Sequence, residues 1–287
     1  MNSSPQSIPY ARATSIASEK RGAADRLATT SIVAYGVRIG IRTNRRELLS
    51  EILNYAPPLW RPTSGASVER MFTFHLGGTS SSLRGSSHSL LDSLETEVKS
   101  RSLKRIFEAF QVRLKMYVAE MARRRVFVHA GVVGWQGKAI LVPGRSMSGK
   151  TSLVAELVRA GATYYSDEYA VLDVLGHVHP YPEPLAVRKE GRAEQKKVRA
   201  EDIGGVTGVK PLEVGQVVVA RYQTGARWRP TKLSAGQALL ELLANTIPAR
   251  RKPEVVIPTL REVVSGVTAF KGVRGEARET VKHILHA

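Results

Sequence analysis

Residues 139–152 read Ala-Ile-Leu-Val-Pro-Gly-Arg-Ser-Met-Ser-Gly-Lys-Thr-Ser, and Gly144 with Gly149, Lys150 and Thr151 completes the pattern G-x-x-x-x-G-K-[ST]. Ala139, Ile140, Leu141 and Val142 form an apolar run of strand character, and residues 151–160 are helix formers with Leu153, Leu157 and Val158 on one face. Strand, glycine-bearing loop and helix N-terminus thus follow in the order a phosphate cradle requires. N–H groups in the first turn of a helix lack intrahelical partners, and the helix dipole adds partial positive charge there, so backbone alone can hold a polyphosphate. Gly144 and Gly149 permit the close turn, and the amides of Arg145, Ser146, Met147, Ser148 and Ser152 extend it. Lys150 is placed to reach the β- and γ-phosphates of a nucleotide such as ATP, with the Thr151 hydroxyl as a ligand of the Mg²⁺ that bridges them.

Behind this helix, Ala160-Gly161-Ala162 supplies a C-cap, and Thr163-Tyr164-Tyr165-Ser166 reads as a short strand ending in two acids, Asp167 and Glu168. A phosphate loop offers one protein ligand to Mg²⁺, and transfer needs a carboxylate to complete the metal's shell or to take a proton from an attacking hydroxyl. Asp167 and Glu168 are candidates for both roles, and the split between them stays open. The plainer alternative is a solvated acidic turn. Ahead of the loop, residues 126–133 read as a strand that turns back through Gly134-Trp135-Gln136-Gly137 into the loop's own strand. A turn centred near Trp135 and Gln136 predicts His129 opposite Val142, one or two residues from the loop. A histidine on an apolar strand is usually structural; this position adds a functional reading.

The chain of 287 residues carries 43 Lys and Arg against 25 Asp and Glu, a formal net charge of +18. That balance favours polyanions of several kinds without choosing among them. Cysteine is absent, which excludes a disulfide framework and a thiolate metal site. No apolar run is long enough to span a bilayer and the N-terminus lacks the apolar core of a secretory signal, so a cytoplasmic protein is expected.

Residues 1–30, rich in Ser, Ala and Arg, are expected to form a disordered basic tail. Residues 31–89 are expected to form a small α+β region. It holds a strand through Ile32, Val37, Ile39 and Ile41, a short helix over 46–54, an alternating strand over 71–76 and a Gly/Ser loop over 77–89. Residues 90–124 read as a long amphipathic connecting helix, with Ile106, Phe107, Phe110, Leu114 and Val118 on its apolar face. Lys99, Arg101, Lys104, Arg105, Arg113, Lys115 and Arg123-Arg124-Arg125 occupy much of the remainder. This is a solvated basic surface or a docking face for an acidic protein or peptide; nucleic acid is disfavoured because no aromatic residues interleave the charges. Residues 188–199 are expected to be a mobile charged segment, 214–222 a buried strand and 234–245 a helix capped by Ser234, while 259–267 and 277–285 mix helix and strand signals.

The ordered set His129-Ala130, the loop 144–151, Ser166-Asp167-Glu168, Gly176 and Pro180-Tyr181-Pro182 resembles the catalytic domain of HPr serine kinase/phosphorylase and its kinase-like relatives. That family shares a nucleotide fold with ATP-dependent phosphoenolpyruvate carboxykinase. The resemblance covers residues 125–287 and is most specific over 126–187. It implies an α/β fold, a mixed sheet with flanking helices around a P-loop nucleotide-binding core, beside the small α+β N-terminal region. It also implies ATP and Mg²⁺, with His129, Lys150 and Asp167 as catalytic residues and Thr151, Asp167 and Glu168 around the metal. Glu168 stands where the bifunctional enzymes have a second aspartate, and their downstream Glu-Ile-Arg-Gly-type signature has no match, which argues for an acceptor other than HPr. The leading expectation is transfer of the γ-phosphoryl to a hydroxyl, a serine of a protein or peptide. A nucleotide-binding regulatory protein and a small-molecule kinase are the alternatives, and assembly into a homo-oligomer is left open.

Overall fold

The computed structural model describes residues 27–64, 67–77, 87–94, 97–145, 148–188 and 195–287. A hairpin opens the chain. β1 (Ala28–Ala34) and β2 (Val37–Thr43) are joined by Tyr35 and Gly36, both left-handed at φ 49° and 81°, the conformation that a two-residue hairpin turn demands. In β2, Val37, Ile39, Ile41 and Thr43 are buried while Arg38 and Arg42 are exposed, so one face of the sheet is apolar. After α1 (Leu49–Leu53) come β3 (Arg61–Pro62), β4 (Arg70–His75), β5 (His88–Asp92) and β6 (Glu97–Ser100), giving a six-stranded sheet in the order β3-β1-β2-β4-β5-β6.

The helix α2 (Leu103–Met121) covers that sheet. Ile106, Phe107, Phe110, Leu114 and Val118 pack on Ile32, Ile39, Ile41, Phe72, Phe74 and Leu90. Three expectations change here. The helix begins at Leu103 rather than near residue 90, because Leu90, Leu91 and Asp92 alternate buried, exposed and buried and pair with β4, a two-residue period that outweighs helix propensity. Its apolar face forms one wall of the first core, beside Ile52 of α1. The expected tail ends earlier than residue 30, because Ala28, Thr29 and Thr30 pair with Thr43, Arg42 and Ile41; residues 1–26 lie outside the described residues. Of the loop expected over 77–89, His88 and Ser89 belong to β5, and residues 78–86 lie outside the described residues.

The second sheet follows. β7 (Val126–Trp135) turns through Gln136 and Gly137, again both left-handed, into β8 (Lys138–Pro143). α3 (Lys150–Arg159) crosses to β9 (Thr163–Ser166), β10 (Tyr169–Leu172) and β11 (Val178–His179). β12 (Leu185–Arg188) and β13 (Gln195–Val198) form a separate hairpin. Part of the segment expected to be mobile is therefore paired strand, and residues 189–194 lie outside the described residues. β14 (Val214–Tyr222), β15 (Thr231–Lys232), α4 (Ala235–Leu243), α5 (Pro253–Val264), β16 (Thr268–Arg274) and α6 (Ala277–Leu285) complete the chain. The sheet order is β11-β10-β7-β8-β14-β16-β15, with β9 also on β7; β8, β14 and β16 are parallel and the rest antiparallel.

Alternation along β7 and β8 divides the side chains between two cores. Val128, Ala130, Val132 and Leu141 pack against α4 and α5, whereas Val133, Ile140 and Val142 pack against α3 and α6. The result is a mixed α/β architecture with helices on both faces of a mixed sheet. Of the ambiguous C-terminal segments, 259–267 supplies the end of α5 and 277–285 is α6, and Ser234 caps α4 through a reciprocal capping box with Gln237.

The two sheets meet through α2. Ala119 and Ala122 join Phe127, Tyr169, Val171 and Tyr181 in an aromatic cluster, and Tyr35 stands edge-on to Phe127 at 5.0 Å. Much of the basic face of α2 is paired within the molecule. Asp92, nearly fully buried, accepts from Arg70 Nη2 at 2.8 Å and Arg113 Nη1 at 3.3 Å, and Lys115 pairs with Glu183 across the junction. Among the described residues no helix is long and apolar enough to cross a membrane.

Candidate functional site

β7 lies between two neighbours whose chains both break at the same level. On one side, Ala130 pairs with Pro143 and Gly131 with Val142, and the Gly144 amide donates to the His129 carbonyl at 3.3 Å. His129 therefore stands opposite Gly144, the first residue of the glycine loop, and not opposite Val142. The turn is centred on Gln136 and Gly137, one residue later than expected, and in an antiparallel pair a one-residue shift of the turn moves the opposing partner by two. On the other side, Val132 pairs with Ser166 and His129 with Tyr169 in one register, which shifts by one residue beyond Val132, where Val133 pairs with Tyr164; β9 and β10 thus follow each other along β7, interrupted at Asp167 and Glu168.

Ser166 shapes that interruption. Its buried hydroxyl accepts from the amides of Glu168 at 3.1 Å and Tyr169 at 3.0 Å, a local turn that competes with the ladder. The two acids are thereby presented beside the start of α3. Gly131 lets that helix approach, since a Cβ there would come within 2.4 Å of the Val154 side chain.

The glycine loop and the acids meet directly. Thr151 Oγ1 donates to Asp167 Oδ2 at 2.8 Å, while Asp167 Oδ1 is buried without a hydrogen-bond partner. Burial pushes the Asp167 carboxyl up to about 6, although the Thr151 hydroxyl, the nearby Ala186 amide and the Lys150 ammonium pull the other way. Lys150, only 7% exposed, donates to the carbonyls of Gly144 and Arg145. Burial lowers its ammonium pKa, which Asp167 and Glu168 partly oppose. His129 Nε2 lies 3.9 Å from Glu168 Oε1. Burial, with the nearby Lys150 charge, takes His129 down to about 4, so this is a neutral imidazole beside a carboxylate at neutral pH, not an ion pair. Glu168 is itself raised by burial.

Of the expected site residues, the structure brings together Gly144, Gly149, Lys150, Thr151, Asp167, Glu168 and His129. Ser148 is part of the same loop, and its hydroxyl is buried without a partner. Arg145 and Ser152 are exposed at its margins, and Ser146 and Met147 lie outside the described residues. Among the described residues no three His, Asp or Glu side chains gather as a metal centre. A cation here would be held by the Thr151 hydroxyl and Asp167. The unpartnered Asp167 Oδ1 fits such a ligand, because a buried carboxylate oxygen without a donor is costly.

Arg274 joins the site without any local signal in the sequence. It ends β16, is 2% exposed, and its fork donates to Gly149 O and Gly275 O at 2.7 Å each, with the Tyr222 ring 5.4 Å away. Gly149 is the N-cap of α3 at φ 87°, and a Cβ there would meet Arg274 Nη2 at 2.6 Å. A buried cation thus sits behind the positive end of a helix; among the described residues no carboxylate forms an ion pair with it, although the charge of Glu276 is felt there, and its own Nε is unpartnered. Such an arrangement calls for an anion. A lysine at this position keeps the charge but loses the two-carbonyl fork. Arg274→Lys is therefore expected to weaken nucleotide binding by about tenfold and to lower the melting temperature by several degrees. Calorimetry and thermal melting check both, and unchanged values would show that the fork does not set the loop.

No family model matches the chain, and no curated protein matches it.

Proposed function

We propose that this protein is an ATP- and Mg²⁺-dependent phosphotransferase that moves the γ-phosphoryl group to a hydroxyl, a serine of a protein or peptide, in the manner of the HPr kinase-like enzymes it resembles. The observation that carries this reading is the 2.8 Å contact between Thr151 and Asp167, a carboxylate whose second oxygen is buried. It joins a G-K-T loop to a carboxylate delivered by a different strand, the pairing that phosphoryl transfer needs and that simple anion binding does not.

The residues divide the work. The amides at the start of α3 and Lys150 take the triphosphate, and Arg274 holds the Gly149 carbonyl so that the loop keeps its shape. Lys150 then exchanges its two carbonyl partners for phosphate oxygens. Thr151 and Asp167 would hold Mg²⁺, whose chemistry when bound would be to offset charge on the phosphates. As the acceptor oxygen bonds to the γ-phosphorus, the bond from that phosphorus to the β-bridging oxygen breaks, ADP leaves, and the hydroxyl proton passes to Asp167. Without a metal, burial raises that carboxyl to about 6, more basic than a free aspartate, and a bound cation would lower it; an Asp167 that takes the proton would therefore do so through the oxygen not held by the metal. His129, neutral, can hold the acceptor hydroxyl by a hydrogen bond without adding charge.

The test is transfer itself. Purified protein incubated with γ-labelled ATP, Mg²⁺ and a cell lysate is expected to place label on serine, stable to acid and released by alkali. Label that stays in ATP and phosphate, with ATP still bound, would make this a nucleotide-binding regulatory protein.

A further inference from the structure

A cavity of about 220 Å³ lies between β14, β16, residues 228–230 and the end of α6. It sits at the far end of the sheet from the glycine loop. Gln216, on its wall, pairs through the backbone with Ile140 of β8 and with Thr268, the first residue of β16. Tyr222 and Arg274, which pair at the other end of β14 and β16, are the residues beside Gly149. About 20 Å of strand separates the two places.

The walls keep apolar surface open to a ligand. Trp228 and Phe270 are each half-buried and Pro230 is exposed. The indole can lie on the sheet because β16 has a glycine beneath it: a Cβ at Gly272 would come within 3.1 Å of the Trp228 ring. Alternation puts Phe270 and Gly272 on one face of β16, and Gln216 and Val218 on the matching face of β14, the face that α6 covers. His283, in the last turn of α6, stands exposed at the rim. Among the described residues that line the cavity none is Lys, Arg, Asp or Glu, in a chain whose formal net charge is +18. A site without ionic side chains in so basic a chain favours a neutral occupant.

Gln216 selects among neutral occupants. It is 7% exposed, and its carboxamide has no hydrogen-bond partner among the described residues. Leaving a buried amide unmatched is costly. A carboxamide presents an acceptor and a donor side by side in one plane, so the group that satisfies it is a planar edge carrying the complementary donor and acceptor. Aromatic walls suit the ring that bears such an edge. We infer that this cavity binds a neutral planar heterocycle with a nucleobase-type edge, paired with Gln216 and stacked against Trp228. The volume, below the roughly 300–1,000 Å³ of drug-sized sites, suits one ring system and not a whole nucleotide. The site shares no residue with the glycine loop, so its occupancy does not depend on phosphoryl transfer.

Adenine is the probe, since a glutamine pairs with its amino group and N7 together. Calorimetry on the full chain is expected to show one adenine bound per chain, with the same affinity when Mg-ATP is saturating. Purine, which lacks the amino donor, should bind at least about tenfold more weakly. Gln216→Leu keeps the bulk of the side chain and removes the unmatched amide, so it should melt no lower than the unmodified protein while binding adenine at least about tenfold more weakly. Trp228→Leu should weaken adenine similarly through lost stacking. The purine comparison needs no variant, so it decides the matter even if a substitution disturbs folding. No saturable binding, displacement by Mg-ATP, purine binding as tightly as adenine, or unchanged affinity in Gln216→Leu would overturn the assignment.

Discussion

Asp167→Asn is expected to turn over at least about a hundredfold more slowly than the unmodified protein, the usual scale for acid–base assistance, while binding Mg-ATP within a few fold. The substitution keeps the size of the side chain, and its amide oxygen can still accept from Thr151, now 2.8 Å from Asp167 Oδ2. It removes the negative charge and the basicity of a carboxyl raised to about 6. Lys150 and the amides of α3 remain to hold the phosphates. Single-turnover rates and calorimetry on the same preparations separate the two effects. Slow turnover in Glu168→Gln, with near-normal turnover in Asp167→Asn, would exchange the roles of the two acids. Normal turnover in both would remove the acidic pair from the chemistry.

Lys150→Ala is expected to lose ten- to a hundredfold in ATP affinity, corresponding to a charge-assisted contact of roughly 1.5–3 kcal/mol. The side chain is nearly buried and bonded to the Gly144 and Arg145 carbonyls, so its removal also frees the loop that Arg274 anchors from the other side. Both losses act in the same direction. ATP affinity unchanged by calorimetry would count decisively against a phosphate loop at 144–151.

Together these variants define what the loop and the acid each contribute, and the elements that carry them differ in how readable they were. The glycine loop, the β14 strand with Val217, Val218 and Val219, and the Ser234 cap are local in their chemistry. Each depends on residues within one or two turns of itself, so composition and spacing suffice. Around Leu90 the strong helical periodicity from Leu103 onward masks a two-residue period that spans only five residues and is stabilised by pairing with β4.

The site itself lies between these cases. Lys150, Thr151, Asp167 and His129 were all named from residue type and order, because a strand, a loop and a helix of known length constrain where their ends can lie. Their relation was not readable. Placing His129 against Gly144 depends on a turn whose position by one residue changes the partner by two, and the placement of the two acids depends on the Ser166 hydroxyl interrupting a strand that would otherwise run on. Arg274 contacts Gly149 from 125 positions away in the chain, and a charged residue ending a strand is unremarkable until the parallel neighbours β8, β14 and β16 bring that end under the loop. Short-range patterns specify which groups a chain owns; which of them touch is decided by sheet order and register, because pairing joins residues whose separation in sequence carries no local signal.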